Sequence, residues 1–270
     1  MNLKLDAYLR RIGYTGPLSA DLATLTAVHR QHVRTIPYEN LDVQLAREVT
    51  LDIERVYTKI VTHKRGGWCY EMNGLLAWAL HEIGFKFTEL AAGAMREERG
   101  DEAFGNHRAL LVHLERDYLA DVGFGDGLLE PIALTAAEFV QGSLRFRLEQ
   151  LDNDLWRFVN HPEGGAKSFD FYSRPADFSL LNATCTLLQT APDSPFVLNA
   201  VCQIHTMDGL MMLRGRSLKS VSHAGVSHRT IADVADYRAT LAKVFGLEIP
   251  ETDYLWQRIL ERDRQREAAS

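Results

Sequence analysis

Residues 65–76 read Arg-Gly-Gly-Trp-Cys-Tyr-Glu-Met-Asn-Gly-Leu-Leu and place one cysteine between a glycine pair and an apolar run. The apolar residues recur at helical spacing: Leu75, Leu76, Ala79, Leu80 and Ile83. This pattern predicts a helix that begins at or near Cys69. The free N–H groups and the dipole at a helix N-terminus stabilise a thiolate over a thiol. The stretch therefore favours a reactive Cys69, although a lone cysteine is more often an inert core residue.

The composition is that of an ordinary folded protein. The chain has 270 residues, of which 46% are hydrophobic and 24% charged, and its net charge is −6. It is long enough for a substantial core and about one to three subdomains. The absence of a basic stripe argues against nucleic acid as a partner. We expect no membrane partner either, because no window approaches the roughly 20 apolar residues of a membrane span and the N-terminus shows no signal-peptide pattern.

Three cysteines are present: Cys69, Cys185 and Cys202. Their number is odd and no CxxC pair occurs, which excludes a disulfide framework and a four-cysteine zinc site. We therefore expect a cytoplasmic protein without a metal. The sequence is compatible with a homo-oligomer.

The hydrophobic period divides the chain into three parts. The first 85 residues are predicted to be helical, with helices over 3–12, from Ser19 as N-cap to Arg34, after the N-cap Asp52, and from Cys69 to Gly84. After Gly84 the period changes to two. The predicted strands cover 86–95, 108–115, 118–121, 144–151, 155–159 and 168–172. Strands at this spacing indicate an antiparallel barrel or sandwich.

The last third of the chain mixes both periods. The stretch from Pro175 to Thr190 predicts a short helix capped by Asp177. Beyond it, the predicted elements are a hairpin of strands 196–206 and 210–218 and helices over 232–245 and 253–264. The sequence thus predicts an α+β fold of three units, residues 1–85, 86–190 and 191–270, packed together.

Two further side chains are predicted to meet near one sheet edge. His107 opens one strand after a Gly-Asn turn, and Asp121 ends the next strand. A hairpin that turns near Arg116-Asp117 would place residues 107 and 121 side by side. Asp121 lies among apolar residues, where an unpaired charge is costly, and a histidine partner removes that cost. This gives Cys69, His107 and Asp121 as nucleophile, base and orienting carboxylate.

The order Cys, His, Asp does not by itself decide the reaction. It also suits a papain-like peptidase or a transglutaminase. A zinc site formed by the same side chains is disfavoured, because no closely spaced ligand pair such as HxxxH is present. No GxxxxGK[ST] loop is present either, so nucleotide hydrolysis is not supported.

Three segments of the chain match motifs of one known family. Residues 65–71 resemble the RGGxCxE motif of the arylamine N-acetyltransferases. Residues 36–41, Ile-Pro-Tyr-Glu-Asn-Leu, are similar to that family's IPFEN segment, with Tyr38 where Phe is commoner. Residues 121–125, Asp-Val-Gly-Phe-Gly, resemble its DxGFG segment, and His107 lies between them where the family places its histidine. The chain resembles a bacterial-type member over essentially its whole length.

The resemblance implies both a fold and a reaction. The fold is an N-terminal helical bundle, a central antiparallel β-barrel and a C-terminal α/β lid, with a cysteine-protease-like catalytic triad. The reaction is a ping-pong transfer of the acetyl group of acetyl-CoA, through acetyl-Cys69, to an aromatic amine or hydrazine. The alternatives are a related amide synthase, a thiol hydrolase or transglutaminase with the same triad, and a module that only binds an aromatic ligand.

The resemblance also suggests residues that bind the substrates. The candidates for an aromatic wall of the acceptor pocket are Tyr38, Phe104 and Phe124, since flat aromatic substrates prefer such walls. Gly125 and Gly127 would let the pantetheine arm of CoA approach the backbone closely. Ordinary core packing and a plain turn are the alternative interpretations of these five residues.

Charged residues complete the expected site. Arg65 and Glu39 match positions that pair in the family, and we expect them to form a structural ion pair that positions the Cys69 loop. From the lid, Lys219, His223 and His228 are candidates to meet the phosphates of CoA, although their spacing does not indicate it.

Overall fold

The computed structural model describes residues 3–269, so residues 1, 2 and 270 of the two predicted terminal units lie outside the described residues. The helices are α1 (Leu5–Ile12), α2 (Leu22–Thr35), α3 (Leu41–Gln44), α4 (Ile53–Tyr57), α5 (Cys69–Ile83), α6 (Arg96–Arg99), α7 (Phe178–Thr190), α8 (Pro195–Leu198), α9 (Val234–Phe245) and α10 (Thr252–Ala269). The strands are β1 (Tyr38–Glu39), β2 (Lys86–Ala94), β3 (His107–His113), β4 (Asp117–Ala120), β5 (Ile132–Ala133), β6 (Ala137–Gln141), β7 (Leu144–Gln150), β8 (Leu155–Val159), β9 (Ser168–Tyr172), β10 (Val201–His205), β11 (Gly209–Arg214), β12 (Ser217–Ser222) and β13 (Gly225–Thr230).

Side-chain caps mark where α2 and α4 begin. The predicted cap of α2 was wrong: Asp21, not Ser19, is the N-cap, because its carboxylate accepts a hydrogen bond from the N–H of Thr24 at 2.8 Å. Asp52 caps α4 as predicted, and a π-helical turn follows at Thr58–Thr62. Helix α5 is closed by Gly84 directly after Ile83, and the φ of 103° at Gly84 is a left-handed conformation that favours glycine.

Eight strands form a curled antiparallel sheet in the order β5-β4-β3-β2-β9-β8-β7-β6. Strands β3 and β4 form the predicted hairpin, with the turn at residues 114–116. Gln141, the last residue of β6, brings the two ends of the sheet together, because its side-chain oxygen accepts from the N–H groups of Leu129 and Glu130 just before β5. Leucine and phenylalanine side chains from most of these strands fill the enclosed core.

The second sheet has the order β1-β10-β11-β12-β13. The single strand predicted over 210–218 was wrong: β11 and β12 are separate strands, with Gly215 at a φ of 55° between them. Strand β13 was not predicted, because all of its residues are exposed and its pattern does not alternate. Tyr38 of β1 pairs with Gln203 of β10, so the segment 36–41 is tied to the C-terminal part of the chain.

The position of Cys69 follows from the packing of the cores. One apolar cluster lies among α1, α2, α4 and α5, a second inside the curled sheet, and a third under α9 and α10. A fourth cluster joins Tyr38, Trp68, Cys69 and Tyr70 to the inner face of α7. Cys69 therefore lies where all three parts of the chain meet. Between residues 3 and 269 we find no helix with the length and hydropathy that crossing a bilayer requires.

Candidate active site

Cys69 is the first residue of α5 and is almost completely buried. The helix begins there because the carboxylate of Glu71 accepts a hydrogen bond from the N–H of Trp68 at 3.2 Å. The sulfur of Cys69 lies 3.9 Å from the backbone oxygen of Asn106. Cys69 also lines a cavity of about 840 Å³, so its sulfur lies both at a helix N-terminus and beside a space for a ligand.

His107 and Asp121 lie side by side at the open end of the β3–β4 hairpin. His107 Nε2 is 2.7 Å from Asp121 Oδ2, and both side chains are buried. The other carboxylate oxygen of Asp121 accepts hydrogen bonds from Asn73 Nδ2 and from the N–H of Gly123, each at 2.8 Å. Because Asp121 holds Nε2, the opposite ring nitrogen of His107 is the one that can bond to Cys69.

The electrostatics of this pair favour a charged histidine. Burial alone lowers the pKa of His107, but the carboxylate of Asp121 and the hydrogen bond with Cys69 outweigh it and raise the pKa to about 10. Burial likewise acts to raise the pKa of Asp121, but His107, Asn73 and Gly123 bring it below its usual value. The pair is therefore an imidazolium and a carboxylate at neutral pH.

Asn73 is a residue of the site that was not predicted from the sequence. Its Nδ2 donates to Asp121 Oδ1 and to the backbone oxygen of Arg108, while its Oδ1 accepts from the N–H of Val122 at 3.0 Å. It connects the helix that carries Cys69 to β3 and to the residues that follow β4. Its position four residues after Cys69, on the same face of α5, was the available signal.

A buried ion network holds the loop before Cys69. Arg65 Nη2 lies 2.8 Å from Glu39 Oε1 and 3.1 Å from Asp42 Oδ1, which confirms the expected Arg65–Glu39 pair. Lys59 Nζ continues the network to Asp42 at 2.9 Å and to Glu71 at 2.8 Å. The network therefore connects residues 39–42 to the first turn of α5.

Arg65→Met is expected to destabilise the protein by about 3–5 kcal/mol, because the fully buried carboxylate of Glu39 would lose its main cationic partner. Urea unfolding measures the change. The matched control is Arg55→Met, because Arg55 pairs with Glu48 at 2.8 Å on an exposed surface. The control should stay within about 0.5 kcal/mol of the native protein. Equal losses in the two variants would contradict the role of the buried pair.

The cavity beside Cys69 has the size of a small-molecule site. Its wall includes His107, Tyr38 and Phe124, and the Phe124 ring centre lies 5.1 Å from that of His107. Phe104, the third predicted wall residue, is not among the lining residues. Its ring instead packs at 5.1 Å on Tyr172.

The two glycines proposed to face pantetheine have a packing role in the structure. A Cβ at Gly125 would lie 1.9 Å from the side-chain oxygen of Gln203, and one at Gly127 would lie 3.0 Å from Cβ of Phe124. Neither glycine is among the residues that line the cavity. The close approach that requires glycine at 125 is therefore made by Gln203 and not by open space for a ligand.

Basic side chains dominate the charged lining of the cavity. Besides His107, they are Arg99, Arg214, Arg216, Lys219, His228 and Arg266. The acidic lining residues are Asp126, Glu163 and Asp263. Of the three predicted lid residues, Lys219 and His228 line the cavity and His223 does not; Lys219 Nζ also pairs with Glu163 Oε2 at 2.6 Å. Within residues 3–269 no cluster of three or more His, Cys, Asp or Glu could hold a metal ion.

Comparison with known proteins shows which family the chain resembles in sequence. A family model described as N-acetyltransferase matches residues 21–254. A pineal gland isozyme of arylamine N-acetyltransferase from Gallus gallus is 32% identical over 245 residues, which cover 82% of this chain and 84% of that protein.

Two solved structures are similar over nearly the whole chain. Arylamine N-acetyltransferase from M. smegmatis superposes with a TM-score of 0.86 at 31% identity, covering 96% of this chain and 98% of that one. The Mycobacterium marinum arylamine N-acetyltransferase in complex with CoA superposes with a TM-score of 0.86 at 28% identity, covering 95% and 98%.

Proposed function

Because the chain belongs to the arylamine N-acetyltransferase family and moves an acetyl group from acetyl-CoA to aromatic amines, we propose that Cys69 carries this group in a ping-pong reaction. The observation that carries the proposal is the buried His107–Asp121 pair, 2.7 Å apart, beside a cysteine at a helix N-terminus. In this arrangement His107 is the acid and base and Asp121 orients it.

The first half-reaction acylates the enzyme. The Cys69 thiolate attacks the thioester carbonyl, and the backbone N–H of Cys69 donates to the developing oxyanion. The bond between the acetyl carbon and the sulfur of CoA breaks, and the His107 imidazolium gives its proton to the departing thiolate. The products are free CoA, acetyl-Cys69 and a neutral His107.

The second half-reaction restores the enzyme. The nitrogen of an aromatic amine or hydrazine attacks the acetyl carbonyl, and neutral His107 accepts a proton from that nitrogen. The bond between the acetyl carbon and Sγ of Cys69 breaks as the amide forms. The thiolate–imidazolium pair is then ready for another cycle, with Asp121 stabilising the charge on His107.

The basic side chains of the cavity suit the phosphates of CoA. Three of them, Arg214, Lys219 and His228, lie on adjacent strands of the second sheet. We propose that these residues face the phosphates while the thioester reaches Cys69, because clustered basic side chains donate hydrogen bonds to phosphate groups. Tyr38 and Phe124, which line the same cavity, would contact the aromatic acceptor.

Intact-protein mass spectrometry tests the function directly. Mixing with acetyl-CoA should add the mass of one acetyl group at Cys69, and a later addition of an aromatic amine should remove it. An adduct that forms only with other acyl donors would indicate the amide synthase. Peptide turnover without an adduct would indicate a hydrolase or transglutaminase, and no reaction at all would indicate a binding module.

The raised pKa of His107, about 10, makes a prediction about labelling. Since the ring stays protonated below that value, Cys69 keeps a cationic partner from about pH 6 to about pH 9. The rate of iodoacetamide labelling should therefore be nearly constant over that range, and acetyl-CoA should block it. In His107→Asn the rate should instead rise with pH as for an ordinary thiol, whose pKa is about 8.5. A native enzyme that behaves like this variant would contradict the pairing.

We further propose where the protein is located, that it does not bind nucleic acid, and how the chain is divided. A cytoplasmic setting is supported by the three free, buried thiols at Cys69, Cys185 and Cys202. The net charge of −6 supports the proposal that nucleic acid is not a partner. We also propose three units. Residues 1–85 form the helical bundle that carries the nucleophile, residues 86–190 form the barrel that carries His107 and Asp121, and residues 191–270 form the lid.

A further inference from the structure

His29 of α2 is a completely buried histidine that uses both ring nitrogens. Its Nε2 accepts a hydrogen bond from the backbone N–H of Asp121 at 3.1 Å. Its Nδ1–H donates to the backbone oxygen of Leu129, also at 3.1 Å. Because one partner is a donor and the other an acceptor, the neutral Nδ1–H tautomer satisfies both bonds.

The bond to Asp121 replaces a missing strand partner. The ladder between β3 and β4 ends at the pair Leu110–Ala120, so the N–H of Asp121 lies just beyond it. A buried N–H without an acceptor is costly, and His29 supplies the acceptor. The ring therefore fixes the backbone at the residue whose carboxylate holds His107.

The same ring holds both ends of one loop. Residues 121–129 leave β4 and carry Gly123, Phe124 and Asp126, which line the cavity. His29 bonds to the two ends of this loop, at Asp121 and at Leu129. Its neighbour Arg30 adds a bond from Nε to Glu130 Oε1 at 2.8 Å. Helix α2 thus clamps the loop that forms one wall of the site.

His29 remains neutral at the pH at which His107 takes part in acetyl transfer. Burial is the main cause and lowers the pKa of His29 to about 4, although the nearby carboxylates of Asp121 and Glu130 act to raise it. A protonated ring would point an N–H at the N–H of Asp121. The neutral form is therefore the one that preserves the loop geometry at the pH at which transfer takes place.

We propose that His29 is a positioning residue for acetyl transfer, which acts through Asp121. Its Nε2 fixes the backbone of Asp121, the carboxylate of Asp121 fixes His107 Nε2, and the other nitrogen of His107 then faces Cys69. This proposal rests on the proposed roles of Cys69, His107 and Asp121. It adds to them a residue 92 positions away from Asp121 in the chain.

Two substitutions separate the two bonds of His29. In His29→Gln the side-chain oxygen can take the place of Nε2 and accept from Asp121, whereas His29→Asn reaches only the Nδ1 position near Leu129. We expect kcat to fall by about tenfold to a hundredfold in His29→Asn, with KM for the amine changed by less than about threefold. In His29→Gln, kcat should stay within about threefold of the native value. Rates are normalised to folded protein by near-UV circular dichroism.

His32→Asn is the matched control. His32 lies on the same helix and is equally buried, and its Nδ1 bonds to the hydroxyl of Tyr8 at 2.9 Å, away from the cavity. We expect this variant to lose stability and keep kcat. If His29→Asn does not fold, His29→Met gives an apolar side chain of similar length without an acceptor, with the same expected loss of kcat.

The outcomes distinguish this proposal from the proposed function. Equal kcat in the Asn variants of His29 and His32, or equal losses in His29→Gln and His29→Asn, would overturn the positioning role while native Cys69 still becomes acetylated. No acetylation of the native protein would overturn the proposed function itself. A loss in His29→Asn that is recovered in His29→Gln supports the role of the Asp121 bond.

Discussion

Cys69→Ala is expected to abolish acetyl transfer while the fold remains intact. The variant removes the only sulfur in the described chain that lies at the N-terminus of α5 and lines the cavity next to His107. Without a nucleophile no acetyl-enzyme forms, and the rate should fall by at least about a thousandfold. The expected loss of stability is small, because a small buried side chain is replaced by a slightly smaller one. Steady-state acetylation of an aromatic amine and thermal unfolding measure the two effects.

Cys185→Ala is the matched control for this variant. Cys185 belongs to the same apolar cluster as Cys69, but burial raises the pKa of its thiol to about 12, so it is not a nucleophile at neutral pH. The control should retain the native rate of acetyl transfer, and the reactivity of Cys69 should be unchanged. Acetylation at the native rate in Cys69→Ala would show that the nucleophile is assigned to the wrong residue.

The central features of the site could be predicted because they depend on short segments of sequence. A cysteine between a glycine pair and a helical run requires a helix N-terminus, and α5 begins at Cys69. The juxtaposition of His107 and Asp121 follows from one hairpin, since its register pairs Leu110 with Ala120 and so brings residues 107 and 121 within diagonal reach of each other. Each of these predictions involves residues that are near one another in the chain.

The features that were missed depend on residues far apart in sequence. The reason for glycine at position 125 is the side chain of Gln203, and the acceptor for the N–H of Asp121 is His29. Phe104 faces Tyr172 and not the cavity, which no local pattern indicates. The cap of α2 was predicted at Ser19, two residues before Asp21, because the bond from a cap to a backbone N–H depends on where the helix begins. Patterns in one segment do not contain these contacts.

Asp121→Asn is expected to lower kcat by about three to four orders of magnitude while Cys69 remains in place. The new side chain can keep accepting from Asn73 and Gly123 through its oxygen, and its amide then donates to His107 Nε2. Nε2 would become an acceptor, so the ring would be neutral, with its proton on the nitrogen that faces Cys69. The variant therefore lacks both the imidazolium that holds the thiolate and the base that accepts the proton of the amine.

Two measurements examine this variant. Steady-state acetylation gives the loss of kcat, and iodoacetamide labelling should acquire the pH dependence of an ordinary thiol. The control is Asp117→Asn at the other end of the same hairpin, where Asp117 Oδ1 lies 2.7 Å from His113 Nδ1 on a partly exposed surface. That pair has the same chemistry and a similar distance but does not contact the cavity, so kcat should not change. Full activity in Asp121→Asn would remove Asp121 from the catalytic group. Equal losses in both variants would mean that the hairpin, and not the orientation of His107, determines the rate.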